Sequence, residues 1–446
     1  MTDVKKLYPN FLTLDDALAL DKKTATEMTL KHLNQYRTQL AIDLGAATYV
    51  RKAEGCHFWD ENGDKHLDFI GDVGVYALGL NNPFILDNVK KYLDQNLLTM
   101  DPLTIRQITS SFAHNMALIT PELTRTVVVG GGGMEANETV LKMVTIAAHR
   151  TKKGKTRMLT TLNSFHGKSA ACVNLGGKPK WREWQDTLPN FSYVPYGDLA
   201  AAEAELAKGD VIAFMAETIQ GEGGIVVPPE DYFPGIRKLC DKYDAYMVMD
   251  EVQAGTSRTG NIWAWQYYGN FVPDAFTFAK AISNGILPAG GVQAKDELYL
   301  AAYGSYESAF HHTATFQDNQ ISACVMLASL QFILENDVPA KARETGAYLI
   351  GKLNELKAKY PGVIDEVRGR GFMLGIKFKA NSKGEYYTVP ISGTLANKYK
   401  VHTLFSINDE TINRFYPNYF STQEDFDWFL NGLENSIKDV LAQMGE

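Results

Sequence analysis

The chain has 446 residues, 45% of them hydrophobic, and a formal net charge of −8. That length buries enough apolar surface for two or three packed domains. Lys and Arg are scattered rather than clustered, and no apolar run approaches the roughly 18 residues a spanning helix needs, so neither a nucleic acid nor a membrane is an expected partner.

The first residues, MTDVKKLYPNF, lack the layout of a secretion signal. Cys56, Cys172, Cys240 and Cys324 show no CxxC spacing. Reduced thiols and a cytoplasmic location are expected, with no metal site. Up to about Ala47, apolar residues recur at helical spacing with no proline after Pro9, which predicts helix. FWDENGDKHLDF predicts a hairpin about an Asn-Gly turn. These two pieces form an N-terminal segment, 1–70, expected to join the small domain and the dimer interface. Gly71, Gly74 and Gly79 then punctuate a loop carrying Val75 and Tyr76.

From about Ser110 to Leu330 strands and helices alternate, which predicts a mostly parallel sheet in a large α/β domain placed at 71–330. VVVGGGGMEANETVLK, 127–142, reads as a strand, a glycine run ending in Gly132, Gly133 and Met134, and a helix start. Glycine lets the backbone approach an anion, and the first amides of a helix point at it. LTTLNSFHGK places Phe165 and His166 just after a strand. VIAFMAETIQGEGG is a buried strand ending at Glu217, with Glu222 in the turn beyond.

The stretch 245–289 carries the chemistry. Two short apolar runs, 245–249 and 275–279, read as buried strands. The first delivers Asp250 at its end, with Gln253 three residues on, and the second delivers Lys280. A charge at the mouth of a buried strand needs a partner there. An acid and an amine so placed suit the two ends of one aromatic aldehyde, the amine condensing with the aldehyde and the acid keeping a ring nitrogen protonated. That is the chemistry of pyridoxal phosphate. Arg258 and Gly260 read as structural.

The C-terminal third changes pattern. VPAKARETGAYLIGKLNELKAKYPG predicts a helix stopped by Pro361-Gly362, VIDEVRGRGFMLGIKFKA alternates as strands, and the chain ends in a strand, a turn and a long helix. We place a small α+β domain at 331–446.

DEVQAGTSRTG, FAKAISNG and HTATF, in that order, resemble the class III (ornithine/4-aminobutyrate type) aminotransferases, and the resemblance runs over roughly 56–417. GVYALGLNNP, SFHGKSA and EVRGRGFMLGIKF are most similar to the putrescine-type members. The resemblance implies fold type I of the pyridoxal-phosphate enzymes, a large domain plus a small α+β domain. It implies an amine donor, an oxo-acid acceptor and at least a homodimer. Lys280 and Asp250 take the catalytic roles. Gly132, Gly133 and Met134 become the phosphate loop, Phe165 the ring stacked on the pyridine, and His166, Glu217 and Gln253 further cofactor contacts. Thr315 is expected to donate to the phosphate of the neighbouring subunit. Tyr76, Glu222 and Arg368 become substrate contacts, with Glu222 and Arg368 pairing as a gate for a substrate carboxylate.

Two departures stand out. The family usually has Ser-Gly-Thr where this chain has Gly132-Gly133-Met134, so a hydroxyl donor is missing. It often has two glycines and Asn-Pro where this chain has 317–320, QDNQ. The expected reaction moves an amino group from a terminal amine, a diamine or ω-amino acid, to pyruvate or 2-oxoglutarate. Racemase, aminomutase and phospho-amine lyase chemistry would use the same residues, and a non-catalytic binding protein is the remaining alternative.

Overall fold

The computed structural model describes residues 4–43, 45–101, 103–184, 190–269 and 271–445. Its centre is a seven-stranded sheet. Strands β1 (Val50–Glu54), β2 (His57–Asp60) and β3 (Lys65–Asp68) precede it, the first two and the last two pairing antiparallel. The sheet itself comprises β4 (Arg125–Val129), β5 (Arg157–Thr161), β6 (Phe191–Val194), β7 (Val211–Glu217), β8 (Tyr246–Asp250), β9 (Ala275–Phe278) and β10 (Gly290–Ala294), in the spatial order β4-β10-β9-β8-β7-β5-β6. Only β10 runs against its neighbours. Every residue of β7, β9 and β10 is buried. Such continuous apolar strands form because helices cover both faces of the sheet.

Two apolar clusters flank it. One gathers Phe112, Phe214, Phe233, Trp263, Phe276 and Phe278, and the other Val140, Met143, Met158, Ile212, Val248 and Val292. From Ala213 to Ala216 successive residues of β7 face opposite clusters, as strand geometry requires.

The C-terminal part adds β11 (Ile364–Arg370), β12 (Met373–Phe378), β13 (Val401–His402), β14 (Leu404–Phe405) and β15 (Ile412–Phe415). A four-stranded antiparallel sheet, β11-β12-β15-β14, packs under the helices Val338–Lys359 and Gln423–Met444. The N-terminal hairpin joins this unit, not the central sheet. Leu67 and Phe69 enter the same core as Leu353, Ile376, Phe415 and Phe429, and β13 extends the hairpin sheet in parallel with β3. Asp425, which caps the last helix together with Thr422, also accepts from Cys56 Sγ at 3.2 Å and pairs with His57 Nε2 at 2.6 Å. The four described N-terminal helices, Val4–Leu7, Leu14–Leu18, Lys22–His32 and Gln35–Asp43, bury no residue. No single described helix is long and apolar enough to cross a membrane.

Candidate active site

In an open α/β sheet, ligands bind outside the carboxyl ends of the strands. Here β7, β8 and β9 run parallel and in register, with Glu217 beside Asp250 and Asp250 beside Thr277. Lys280 follows three residues later. A cavity of about 190 Å³ opens at these ends, and Asp250, Glu217, Lys280, Phe165, His166 and Gln253 all line it. Gly133 and Met134, at the start of the helix Gly133–Thr151, reach the same wall.

Asp250 is gripped on all sides. Its Oδ2 accepts from Asn137 Nδ2 at 2.8 Å and lies 2.6 Å from His166 Nδ1, and its Oδ1 accepts from Val252 N at 3.0 Å. Burial alone would raise its pKa, but the hydrogen bond and charge of His166, with the donors Val252 and Asn137, hold it below the ordinary carboxylate value. Burial pushes His166 down while Asp250 pushes it up, and Asp250 wins. Each favours the charged form of the other. His166 Nε2 is buried with no hydrogen-bond partner.

Glu217 accepts from the backbone N–H groups of Phe165 and Gly221, both at 2.9 Å. Burial, with the neighbouring Asp250 charge adding to it, pushes its pKa up to about 7 against the pull of His166 and the two amides. Lys280 sits in the left-handed region, φ 51°, at the start of a short 3₁₀ turn. Its ammonium makes no hydrogen bond or ion pair among the described residues. Enclosure lowers its pKa, and the positive Arg414 adds to this, while Glu222 and Asp250 oppose. A lysine pushed this way reaches its neutral, nucleophilic form more readily.

Glycine is required at the loop that opens the helix. Gly132 has φ 129°, and a methyl on Gly133 would stand 2.5 Å from Val252 Cγ1. No side-chain hydroxyl is present at this helix start, where Met134 stands exposed.

The expected gate needs correction. Glu222 does not pair with Arg368. Its partner is Arg414 on β15, whose Nη1 donates to Glu222 Oε1 at 2.8 Å and to Tyr416 Oη at 3.1 Å. Glu222 Oε2 also accepts from Ile407 N at 3.3 Å. Arg368 lies on β11 with Nη1 3.3 Å from Glu366, and does not line the cavity. The reason is strand order. β15 is the inner neighbour of β12, whereas β11 is the outer edge of that sheet. Arg414 is fully buried, and a guanidinium there must have a carboxylate.

The remaining candidates lie around the cavity. Tyr76 packs on Gly285, where a side chain would come 2.4 Å from its ring. Gln253 donates to Val73 O at 3.1 Å, tying the strand-end segment to the 71–79 loop. Thr315 is exposed and does not line the cavity of its own chain, although the adjacent Phe316 packs on Gly130. Asn137, which lines the cavity and bonds Asp250, and Arg414, which pairs with Glu222, were not singled out by the sequence patterns. Asn137 lies four residues after Gly133, on the same helix face, and that spacing was its signal. For Arg414, in the strand INRF beside Asn413, no local pattern marked the residue.

The chain matches the sequence model of the family Aminotransferase class-III over residues 43–437. It is 41% identical to an uncharacterized aminotransferase of Schizosaccharomyces pombe over 98% of this chain and 91% of that protein. It is 31% identical to the putrescine aminotransferase of Pectobacterium atrosepticum over 89% of this chain and 86% of that one. Among solved structures, an (S)-enantioselective ω-transaminase of Thermomicrobium roseum superposes with a TM-score of 0.86 at 22% identity, covering 95% of this chain and 100% of the other. The ornithine aminotransferase of Toxoplasma gondii gives 0.82 at 22%, with the same coverage. These two likenesses speak to the fold, which is fold type I, and the match along nearly the whole sequence carries the rest: the chain belongs to the class III aminotransferases, pyridoxal-phosphate-dependent enzymes.

Proposed function

We propose that the amino donor is a terminal amine, of a diamine or an ω-amino acid, and that the acceptor is a 2-oxo acid such as pyruvate or 2-oxoglutarate. The Glu222–Arg414 pair carries this reading. An arginine fork matches a carboxylate in two hydrogen bonds. Masked by Glu222, it leaves the site open to an uncharged or ammonium-bearing substrate end, to which Glu222 itself offers a carboxylate. Released, it takes the carboxylate of the acceptor. The likeness to a putrescine aminotransferase supports the same donor class.

The residues present fit the cofactor. A carboxylate held anionic at one point of the cavity wall, an unpaired amine at another, and a glycine-opened helix start are what a pyridinium, an aldehyde and a phosphate need. Pyridoxal phosphate, when bound, supplies an aldehyde that bonds amines and a ring that draws electron density from the carbon bearing the amine. Asp250 would hold the ring N–H, and His166 and Asn137 would keep Asp250 oriented and ionised. Phe165 would cover a ring face, Gln253 would contact the ring hydroxyl, and Glu217 fixes the Phe165 backbone. The amides of Gly133 and Met134 would receive the phosphate. Lys280 Nζ would bond the aldehyde and, when freed, take the proton from the amine-bearing carbon and return it elsewhere. Tyr76 would border the substrate entrance.

A homodimer is part of the proposal. Tyr306, Phe310 and Phe316 are exposed around Thr315, and the N-terminal helices keep Leu14, Leu18, Leu33 and Tyr36 on the surface. A second copy would cover these groups and bring its Thr315 to the phosphate. The four cysteines are free and buried, which supports a reducing cytoplasm.

A panel of amines run against pyruvate and 2-oxoglutarate tests the reading. Diamines and ω-amino acids should outpace α-amino acids as donors. Turnover confined to α-amino acids, or turnover without an acceptor, would refute it.

A further inference from the structure

A second cavity, of about 290 Å³, opens between the segment that follows β8 and the C-terminal unit. Its polar wall is Thr259, Asn261, Tyr267, Arg343 and Arg370, and the rest is glycine, alanine and isoleucine. Two guanidinium groups therefore face a space with no carboxylate on its lining. Neither makes an ion pair among the described residues. Arg343 donates only to the carbonyl of Gly260. Arg370 makes no side-chain hydrogen bond among the described residues. It lies on Tyr267, its guanidinium carbon 3.4 Å from the ring centroid, with Tyr268 at 5.0 Å. Arg370 Nη1 is shut away from solvent and unsatisfied. Behind this wall the hydroxyl of Tyr267 donates to Glu230 at 3.1 Å.

Arg343 is exposed and Arg370 half-buried, so both keep N–H donors open to the cavity, and beyond the Gly260 carbonyl no described protein acceptor on its lining takes them. Aromatic stacking holds the group in place but satisfies no N–H. An anion in the cavity would supply the missing acceptors and the missing charge, and arginine forks on stacked rings are suited to oxyanions.

We propose that this cavity binds a small oxyanion, a carboxylate- or phosphate-bearing molecule, between Arg343 and Arg370. The bound anion would bridge the two units. Arg343 and Gly346 belong to the helix Val338–Lys359, and Arg370 ends β11, while Thr259, Asn261 and Tyr267 belong to the large unit. A ligand that touches both stabilises their packed arrangement by mass action. The site stands apart from Lys280 and Asp250, so its occupancy does not depend on which amine the enzyme uses.

The test is isothermal titration of the cofactor-loaded enzyme with inorganic phosphate and, separately, with succinate, which carries neither an amino nor an oxo group. Saturable binding of either anion at one site per chain is expected, with a Kd of about 1 mM or tighter, accompanied by a rise in Tm. Arg370→Met should weaken it by about tenfold or more. Should that variant not fold, Asn261→Asp places a carboxylate of nearly the same shape beside the arginines and should weaken it similarly, with the cofactor absorbance intact. Absence of saturable binding to the unmodified enzyme would overturn the proposal. So would binding that is undiminished in Asn261→Asp, since the anion would then sit elsewhere, for instance in the active site.

Discussion

Around Asp250 the active-site cavity is braced from within one unit. Asn137 from the helix after β4, His166 from the turn after β5 and Val252 from the segment after β8 converge on one carboxylate. Around Glu222 the bracing crosses between units: the acid comes from the turn after β7, its arginine from β15, and two further contacts from Ser406 and Ile407. The first arrangement is rigid, because every partner hangs on one sheet. The second can be broken by moving one unit against the other or by a substrate that competes for either charge. Rigidity suits a group that must keep one protonation state. A separable pair suits a site that takes two unlike substrates in turn.

Breaking the first arrangement should cost most. Asp250→Asn removes the charge that holds a ring nitrogen protonated, and kcat should fall by about 10²–10³ with the fold retained. The check is steady-state kinetics beside a cofactor-binding titration. If Asp250→Asn stayed within a few-fold of wild type, the rigid side would have no catalytic meaning.

The second arrangement can be broken from either partner. Arg414→Gln strips Glu222 of its buried counter-charge and should destabilise the protein by about 3–5 kcal/mol, while raising the KM of the oxo acid about tenfold or more. Glu222→Gln should instead free Arg414 and shift donor preference towards carboxylate-bearing amines by about tenfold. Opposite effects on the two substrates are what a gate requires. Equal effects from both variants would reduce the pair to a structural bridge.

A smaller effect comes from Glu217, between the two arrangements. Its pKa rises from 4.5 to about 7 in the folded state. The native state thus binds more protons than the unfolded chain between those values, and stability falls as pH rises through that window. Below it the contribution is fully present. Glu217→Gln should flatten the decline by up to roughly 1 kcal/mol per pH unit in denaturant titrations. Glu251, also buried and pushed up to about 7, has the same sign and would remain. The smallest change expected is at the phosphate loop. Met134→Ser adds a hydroxyl donor to an exposed position at the helix start and should tighten pyridoxal phosphate a few-fold, about 1 kcal/mol, by equilibrium binding.

The same contrast governs what could be read from the residues alone. The Asp250 side was legible because each group sits at the end of a buried strand or the start of a helix, and those features are local. Asp250, Lys280, Phe165 and the glycine run fall in stretches whose patterns announce them. Asn137 needed only the helical spacing from Gly133. Arg414 could not be reached that way. Its pairing depends on which strand of the small sheet lies inside, a matter of strand order, and Arg368 in its glycine-rich surroundings was the more conspicuous arginine. The N-terminal hairpin shows the same limit. Its turn was legible in ENGD and its joining of the small domain was expected, but the particular partners Phe415 and Phe429, hundreds of residues away, are set by packing that no local pattern shows.

The most direct measurement is a half-reaction. The cofactor-loaded enzyme is mixed with a diamine and no oxo acid, and carbonyl product is counted against protein chains. One equivalent per chain is predicted, then arrest, with the cofactor absorbance restored and turnover resumed when a 2-oxo acid is added, and no product from Lys280→Ala. Continued product formation without the oxo acid, or the same equivalent from Lys280→Ala, would contradict the role of Lys280 as the group that bonds the aldehyde and moves the proton.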